Sequence, residues 1–582
     1  SEVVYSIVDN LICSELKENV SALEWQTAIF AVEDQNYLIA QSTQLFMQIA
    51  LGFEVARSQV DLTVLTESVA QDFRELIEGN LDKNLIVPPT QGIADLLQLA
   101  LAAWDDLATE LKRAVRSSEI PSTSVKEVAR LSRISLSNVK QAVKLYVKAG
   151  LISGTEAPVY VVDITAAQRS LLAKLAKETS LLSYGYDPER SWERLNETRR
   201  DFLSTHWKLL LGAPATETYP KVEKTKNVCI VQQMFHVLKD FELLEIAALE
   251  VARGDAQKLQ EVVELEPLAV KEMKVAMRQY SGFNITCDDL SYTDDEWEGL
   301  VGEMGKFRAL TQEAAVEFIL TNEFNGSSDL LLGDLVLESE KRIKFGSRSP
   351  IVPPPYSQKV LEQFIEEIDP TLLDFMDALK SADSLRVVAG SISLMKQVDK
   401  IKKEFLRKAG ASNPSLPIGR IDVASKQIML THKIFKEKLI MMSTLNATGI
   451  SLETSLAEFE ANQRYLRDGG NGLDAVILHR FDIFKEYDKV MAKWQVYKDT
   501  ILEKRADIES IQTALRELIV ELEIALQLYT IPDDPLRAEM QWSILAYTLI
   551  GVFVCAVMCV ACVVYRRYGG HKEKLKQEQA QV

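Results

Sequence analysis

Apolar residues recur along most of this chain at the three- and four-residue spacings of one helix face, which predicts an all-α fold. The pattern is most regular near the end. Ile483, Tyr487, Val490, Trp494, Tyr497, Ile501, Lys504, Ile508, Ile511, Leu515, Leu518, Leu522, Ala525 and Tyr529 follow one another at alternating spacings of four and three, and Lys504 alone is polar. Such a heptad seam predicts one long helix, about 70 Å at roughly 1.5 Å per residue. It packs either as a coiled coil with another copy or inside a larger bundle. Two further stretches, 357–409 with an interruption near Pro370 and 421–466, also read as long helices. Turn-rich segments at 410–419 and 468–472 separate them, so 357–531 is expected to form an elongated antiparallel rod or stalk.

Upstream, Pro350 and Pro353-Pro354-Pro355 predict a stiff extended linker over 346–356. Residues 1–345 show the same helical spacing in shorter pieces, at 36–78, 93–115, 166–182, 192–211, 230–253 and 311–321, and are expected to form a mostly helical distal domain. No internal repeat of fixed period is visible.

One segment breaks the amphipathic pattern. Trp542–Tyr565 holds 24 residues without a charge. A helix needs about 20 such residues to cross the hydrocarbon core. Trp542 and Tyr565 suit the aromatic belt at its two faces. Arg566, Arg567, Lys572, Lys574 and Lys576 follow it, so the tail 566–582 is expected in the cytosol and residues 1–541 outside. Gly551, Cys555, Cys559 and Cys562 share one face of this span and would let a second helix approach closely; Cys562, four residues from Arg566, is a lipidation candidate.

Topology has a competitor: a C-terminal span with a short tail also suits a tail-anchored protein with residues 1–541 in the cytosol. The sequence opens at Ser1 with no signal pattern, which fits either a removed signal or a trimmed Met. Five glycosylation sequons, at Asn19, Asn196, Asn284, Asn325 and Asn446, favour the outside. The three cysteines before the span, Cys13, Cys229 and Cys287, permit at most one intrachain disulfide.

Residues 121–164 carry a local resemblance. Val128-Ala129, Ile134-Ser135, Val139 and Gly150-Leu151-Ile152 lie where a winged helix-turn-helix has its two helices and following strand, and Val159–Asp163 lies where it has a wing. The resemblance implies a small module for binding protein or nucleic acid; a plain helical hairpin with a basic face is the alternative. Arg133 stands where that family usually has Gly at the turn.

Composition narrows the function classes. The formal charge is −18 and pI about 5.0, so nucleic acid is not an expected partner. Six Cys in 582 residues exclude a disulfide-built scaffold. The five His show no metal-ligand spacing, and no phosphate-binding glycine loop or nucleophile elbow is present. No cofactor, metal or catalytic residue is therefore expected. The acidic run 288–298 lacks the order of a calcium loop. These readings converge on a single-pass membrane glycoprotein whose helical outer region binds, adheres or assembles through the bilayer and a protein partner or itself. The alternatives are a tail-anchored adaptor and a membrane-active, pore-forming helical bundle.

Overall fold

The computed structural model describes residues 20–531, apart from 117–119, 156–157, 217–218, 284, 325–330, 382, 415, 446, 449, 471–472, 474–479 and 505. The fold is all-α: among the described residues there is no β-strand, only isolated bridges. The chain divides into two compact units, Ser1–Tyr292 with Arg342–Ile365, and Thr293–Lys341 with Glu366–Val582.

The first unit contains α1 (Ala22–Ala50), α2 (Val55–Glu78), α3 (Gln91–Val115), α4 (Ser122–Ile152), α5 (Val159–Ser183), α6 (Pro188–Leu211), α7 (Val228–Ala252) and α8 (Leu259–Tyr280). Their ends follow local chemistry. Ser21 and Glu24 form a reciprocal capping box at the start of α1. Asn227 caps α7 by accepting from the N–H groups of Cys229 and Ile230. A single helix was expected over 36–78, but α1 stops at Ala50 because Gly52 (φ 74°) and Glu54 (φ 42°) turn the chain through the left-handed region.

The second unit contains α9 (Asp294–Phe324), most of α10 (Leu331–Phe345), α12 (Asp369–Ser381), α13 (Ser384–Ser412), α14 (Ile418–Met442), α15 (Leu452–Asp468), α16 (Phe481–Leu502) and α17 (Ile508–Tyr529); the short α11 (Gln358–Gln363) belongs to the first. Part of the acidic run 288–298 proves to be the first turn of α9. There Asp294, Asp295 and Glu296 face the positive end of the helix dipole, and Thr293 and Glu296 cap one another.

The two units share one order of packing. In the first, α1 packs on α5, with α4 beside α1, α3 beside α4, α6 and α8 beside α5, and α7 beside α8. In the second, α9 packs on α14, with α13 beside α9, α12 beside α13, α15 and α17 beside α14, and α16 beside α17. Reading α1–α8 against α9, α10 and α12–α17 in sequence matches these six pairings, while the packing of α2 on α1 and α3 has no counterpart of comparable extent at α10.

The central pairs α1–α5 and α9–α14 are surrounded, so they bury polar residues as well as apolar ones. Short hydroxyls on them turn back to their own helix: Thr43 donates to Ile39 O at 3.0 Å, Thr179 to Leu175 O at 2.8 Å and Thr311 to Phe307 O at 2.8 Å. The α9–α14 crossing depends on Gly305, where a Cβ would stand 2.4 Å from the Ser425 side chain.

Four further expectations are corrected. The heptad seam is not one helix: α16 ends at Leu502, and Asp507 starts α17 by accepting from the Ser510 N–H. Lys504, the polar member of the seam, lies exposed in the turn between them. The seam residues Ile501, Ile511, Leu515, Leu518 and Leu522 are buried within the chain, and Ile508 is half-buried. The helix expected over 421–466 is likewise split between α14 and α15, and Ser451 caps α15.

The winged-helix resemblance at 121–164 does not hold. Residues 122–152 form one continuous helix, α4, with no turn at Arg133, and the supposed wing starts α5. Without a Gly or Pro at 133, the apolar spacing carries straight through that position.

The linker at 346–356 is not a free spacer. Pro353, Pro354, Pro355 and Tyr356 are buried in the first unit; Gln232 Nε2 donates to Pro355 O at 3.0 Å, and the Leu290 N–H donates to Tyr356 O at 3.3 Å.

Among the described residues no helix is long and apolar enough to cross a membrane. The expected span 542–565, with Gly551, Cys555, Cys559 and Cys562, and the tail 566–582 lie outside the described residues.

Candidate functional site

The first unit holds a polar cavity of about 360 Å³ between α1, the α1–α2 turn, α2 and α8. Pairs of residues one helical turn apart build its walls. Gln41, Gln44 and Gln48 project from one face of α1, while Arg57, Ser58 and Asp61 come from the first turns of α2. Glu266 and Pro267 come from α8, and Phe53 and Leu45 add apolar surface. Ser58 donates to Gln48 Oε1 at 2.8 Å, which fixes one edge.

The cavity wall is rich in acceptors. Gln44 Oε1 and Glu266 Oε1 are buried and have no hydrogen-bond partner. Pro267 lies inside α8 and has no N–H, so the carbonyl of Val263, one turn earlier and also on the wall, lacks its usual helical donor. Burial pushes the Glu266 carboxyl up to about 7, with Lys274 opposing the shift. At the rim, the Arg57 guanidinium lies 3.3 Å from Glu54 and 3.8 Å from Asp61.

Three other polar clusters are packed as supports. In the first unit, Glu33 accepts from Asn36 Nδ2 at 3.2 Å, and burial raises its carboxyl; burial and the nearby Glu33 charge raise Asp163, with Lys140 and Lys208 opposing. The guanidinium of Arg169 binds Asp34 and lies 4.7 Å above the Tyr37 ring, tying α5 to α1. Lys177, Glu178 and Arg194 form a second cluster, at 2.9 and 3.0 Å, in a space too tight to admit water. In the second unit, Arg308 is fully buried and binds Asp399 at 3.1 Å and Asp422 at 2.9 Å; Lys402 reaches the same two carboxylates.

Cys229 and Cys287 form a disulfide, with Cα atoms 5.5 Å apart, which joins the start of α7 to the segment after α8. Of the sequons, Asn19, Asn284, Asn325 and Asn446 lie outside the described residues. Asn196 lies in the middle of α6, half-buried. Its Nδ2 donates to Trp192 O at 3.1 Å and its Oδ1 accepts from Arg199 at 2.8 Å, while Thr198 of the same sequon is buried. A hollow of about 430 Å³ beside it is lined by α6 residues alone.

The sequence reading named no residue of the α1–α2–α8 cavity. Its one signal was Pro267 inside an otherwise helical stretch, since a proline that interrupts a helix ladder leaves a carbonyl to be used elsewhere. No family model, curated protein or solved structure matches this chain, so the site is read from its geometry alone.

Proposed function

We propose that this chain is a single-pass membrane protein with residues 1–541 outside the cytosol, and that its helical outer region works by binding rather than catalysis. The Cys229–Cys287 disulfide carries the topology, because such bonds persist in oxidising compartments and are rare in the cytosol. The uncharged segment Trp542–Tyr565 and the basic residues after it supply the anchor and its orientation. The Asn196 sequon sits within a helix, so glycans are expected on Asn19, Asn284, Asn325 or Asn446.

Binding is favoured over catalysis by the character of the cavity, which gathers acceptors and where the Ser58 hydroxyl donates to the Gln48 amide oxygen. The buried seam of α16 and α17 also argues against a stalk that self-associates through those residues.

The topology is tested on the full chain expressed in a glycosylating host. Endoglycosidase should lower the apparent mass, and Cys229 and Cys287 should resist a thiol reagent until a reductant is added. Unchanged mobility together with immediate labelling of both cysteines would replace this reading with the tail-anchored one.

A further inference from the structure

We infer that the cavity between α1, α2 and α8 is a binding site for a small organic cation, an alkylammonium of the diamine or polyamine class. The inference rests on the binding role proposed for the outer region but not on its topology.

Charge gives the sign of the ligand. Among the described residues that line the cavity, Glu54, Asp61, Glu264 and Glu266 stand against one cation, Arg57, with Lys274 acting on Glu266 from beyond the wall. Arg57 is held at the rim by Glu54 and Asp61 and does not neutralise the interior. The buried oxygens of Gln44 and Glu266 have no donor, and Pro267 withholds one from Val263. Leaving buried acceptors unpaired is costly. An ammonium carries up to three N–H donors and no acceptor, so it complements such a wall where an anion or a carbonyl ligand does not.

Shape and ligand geometry favour an organic cation over a metal ion. The volume, about 360 Å³, falls within the ordinary range for small-molecule sites, roughly 300–1,000 Å³. Leu45, Phe53 and the methylene stems of the glutamines give an alkyl chain apolar surface to lie against. Among the described residues no three His, Cys, Asp or Glu side chains are placed to hold one metal ion. A chain with an ammonium at each end would set one on Glu266 and Gln44 and the other at the rim by Glu54 and Asp61, in competition with Arg57.

The test is calorimetric titration of the full chain in detergent with putrescine and spermidine. The controls are 1,4-butanediol (the neutral counterpart of putrescine), succinate and magnesium chloride. Saturable binding is expected for the amines and none for the controls. Glu266→Gln should weaken amine binding roughly tenfold or more, as loss of a charged hydrogen bond does. Arg57→Gln should strengthen it by freeing the rim carboxylates. Pro267→Ala, which returns a donor to the Val263 carbonyl, should weaken it, with thermal melting confirming that each variant is folded. The inference is overturned if butanediol, succinate or magnesium matches the amines, if no amine binds, or if folded Glu266→Gln and Arg57→Gln both bind as the parent does. A chain that is glycosylated and disulfide-bonded yet binds no amine would refute the site and leave the topology standing.

Discussion

The buried phenol of Tyr497 on α16 donates to the main-chain carbonyl of Thr431 on α14 at 2.9 Å. Tyr497 is a member of the heptad seam, and α14 is half of the central pair of the second unit. The seam is therefore packed within one chain. Phe459 of α15 stacks on Trp494 at 3.8 Å and completes the same cluster. Replacing both Leu515 and Leu518 by Asp should then abolish the cooperative melting transition of the second unit. Each buried, unpaired charge costs several kcal/mol, and a typical domain has about 5–15 kcal/mol to lose. A double variant that melts as the parent does and differs only in self-association would show the seam to be intermolecular.

Arg308 makes a second prediction. It is the fully buried member of a group of four alternating charges with Asp399, Asp422 and Lys402. Burial pushes Asp399 up, but Lys402 and Arg308 together hold it below its ordinary value. Arg308→Met leaves two carboxylates facing one lysine, and breaking a buried pair in this way costs about 3–5 kcal/mol. Urea unfolding should place the loss in the second unit. Arg308→Met with Asp422→Leu should recover part of it, and a double variant no more stable than the single one would mean the network is not a coupled unit.

The chain's all-helical character was legible because most helices outside the central pairs carry one apolar face. The expected helices at 93–115, 192–211 and 230–253 lie close to α3, α6 and α7. Of the central helices α5 was anticipated over 166–182, but the others were harder to read. Of α9 only 311–321 was anticipated, because α9 is buried on several faces and sets Glu303, Arg308, Thr311 and Gln312 among its apolar residues. A helix buried all round has no polar stripe to betray its period. The seam misled for the opposite reason. Two antiparallel helices that share one core can keep the heptad phase across a short turn, so the spacing alone continues through Lys504. The break was marked only by Asp507 and Ser510, a capping pair that also occurs by chance. Beyond the signal of Pro267, the cavity could not be assembled from the sequence because its walls come from residues some two hundred positions apart.

The disulfide makes a third prediction, on the first unit. Cys229 and Cys287 are 58 residues apart in sequence. Closing a loop of that size is worth about 4 kcal/mol in the chain-entropy account. Cys287→Ser, at an exposed position, removes the bond with little loss of packing. The first unit's melting transition should fall in that variant, and a reductant should lower the parent's transition to match without moving the variant's. A reductant that leaves the parent unchanged would show that the bond is absent in the protein as made.

Lys436 adds a pH dependence to the second unit. It is buried between α14 and its neighbours, and its ammonium donates to Gln312 Oε1 at 2.5 Å and Ser391 Oγ at 2.8 Å. Burial lowers its pKa to about 7, with Glu437 opposing and Lys433 adding to the shift. The folded value is thus depressed from the ordinary 10.5. Between these two values the unfolded chain holds a proton that the folded chain lacks, so stability rises with pH across the window. Below pH 7 both forms are protonated and the folded unit bears the full cost of the buried charge. At about 1.4 kcal/mol per unit, that cost is on the order of 5 kcal/mol. Lys436→Met removes the titration and keeps the bulk. It should be more stable than the parent at pH 6.5, with the advantage shrinking steadily toward pH 10. Calorimetric melting across that range reads the difference directly. A parent and variant that run parallel would mean Lys436 stays charged in the folded unit, with its hydrogen bonds to Gln312 and Ser391 offsetting the loss of water.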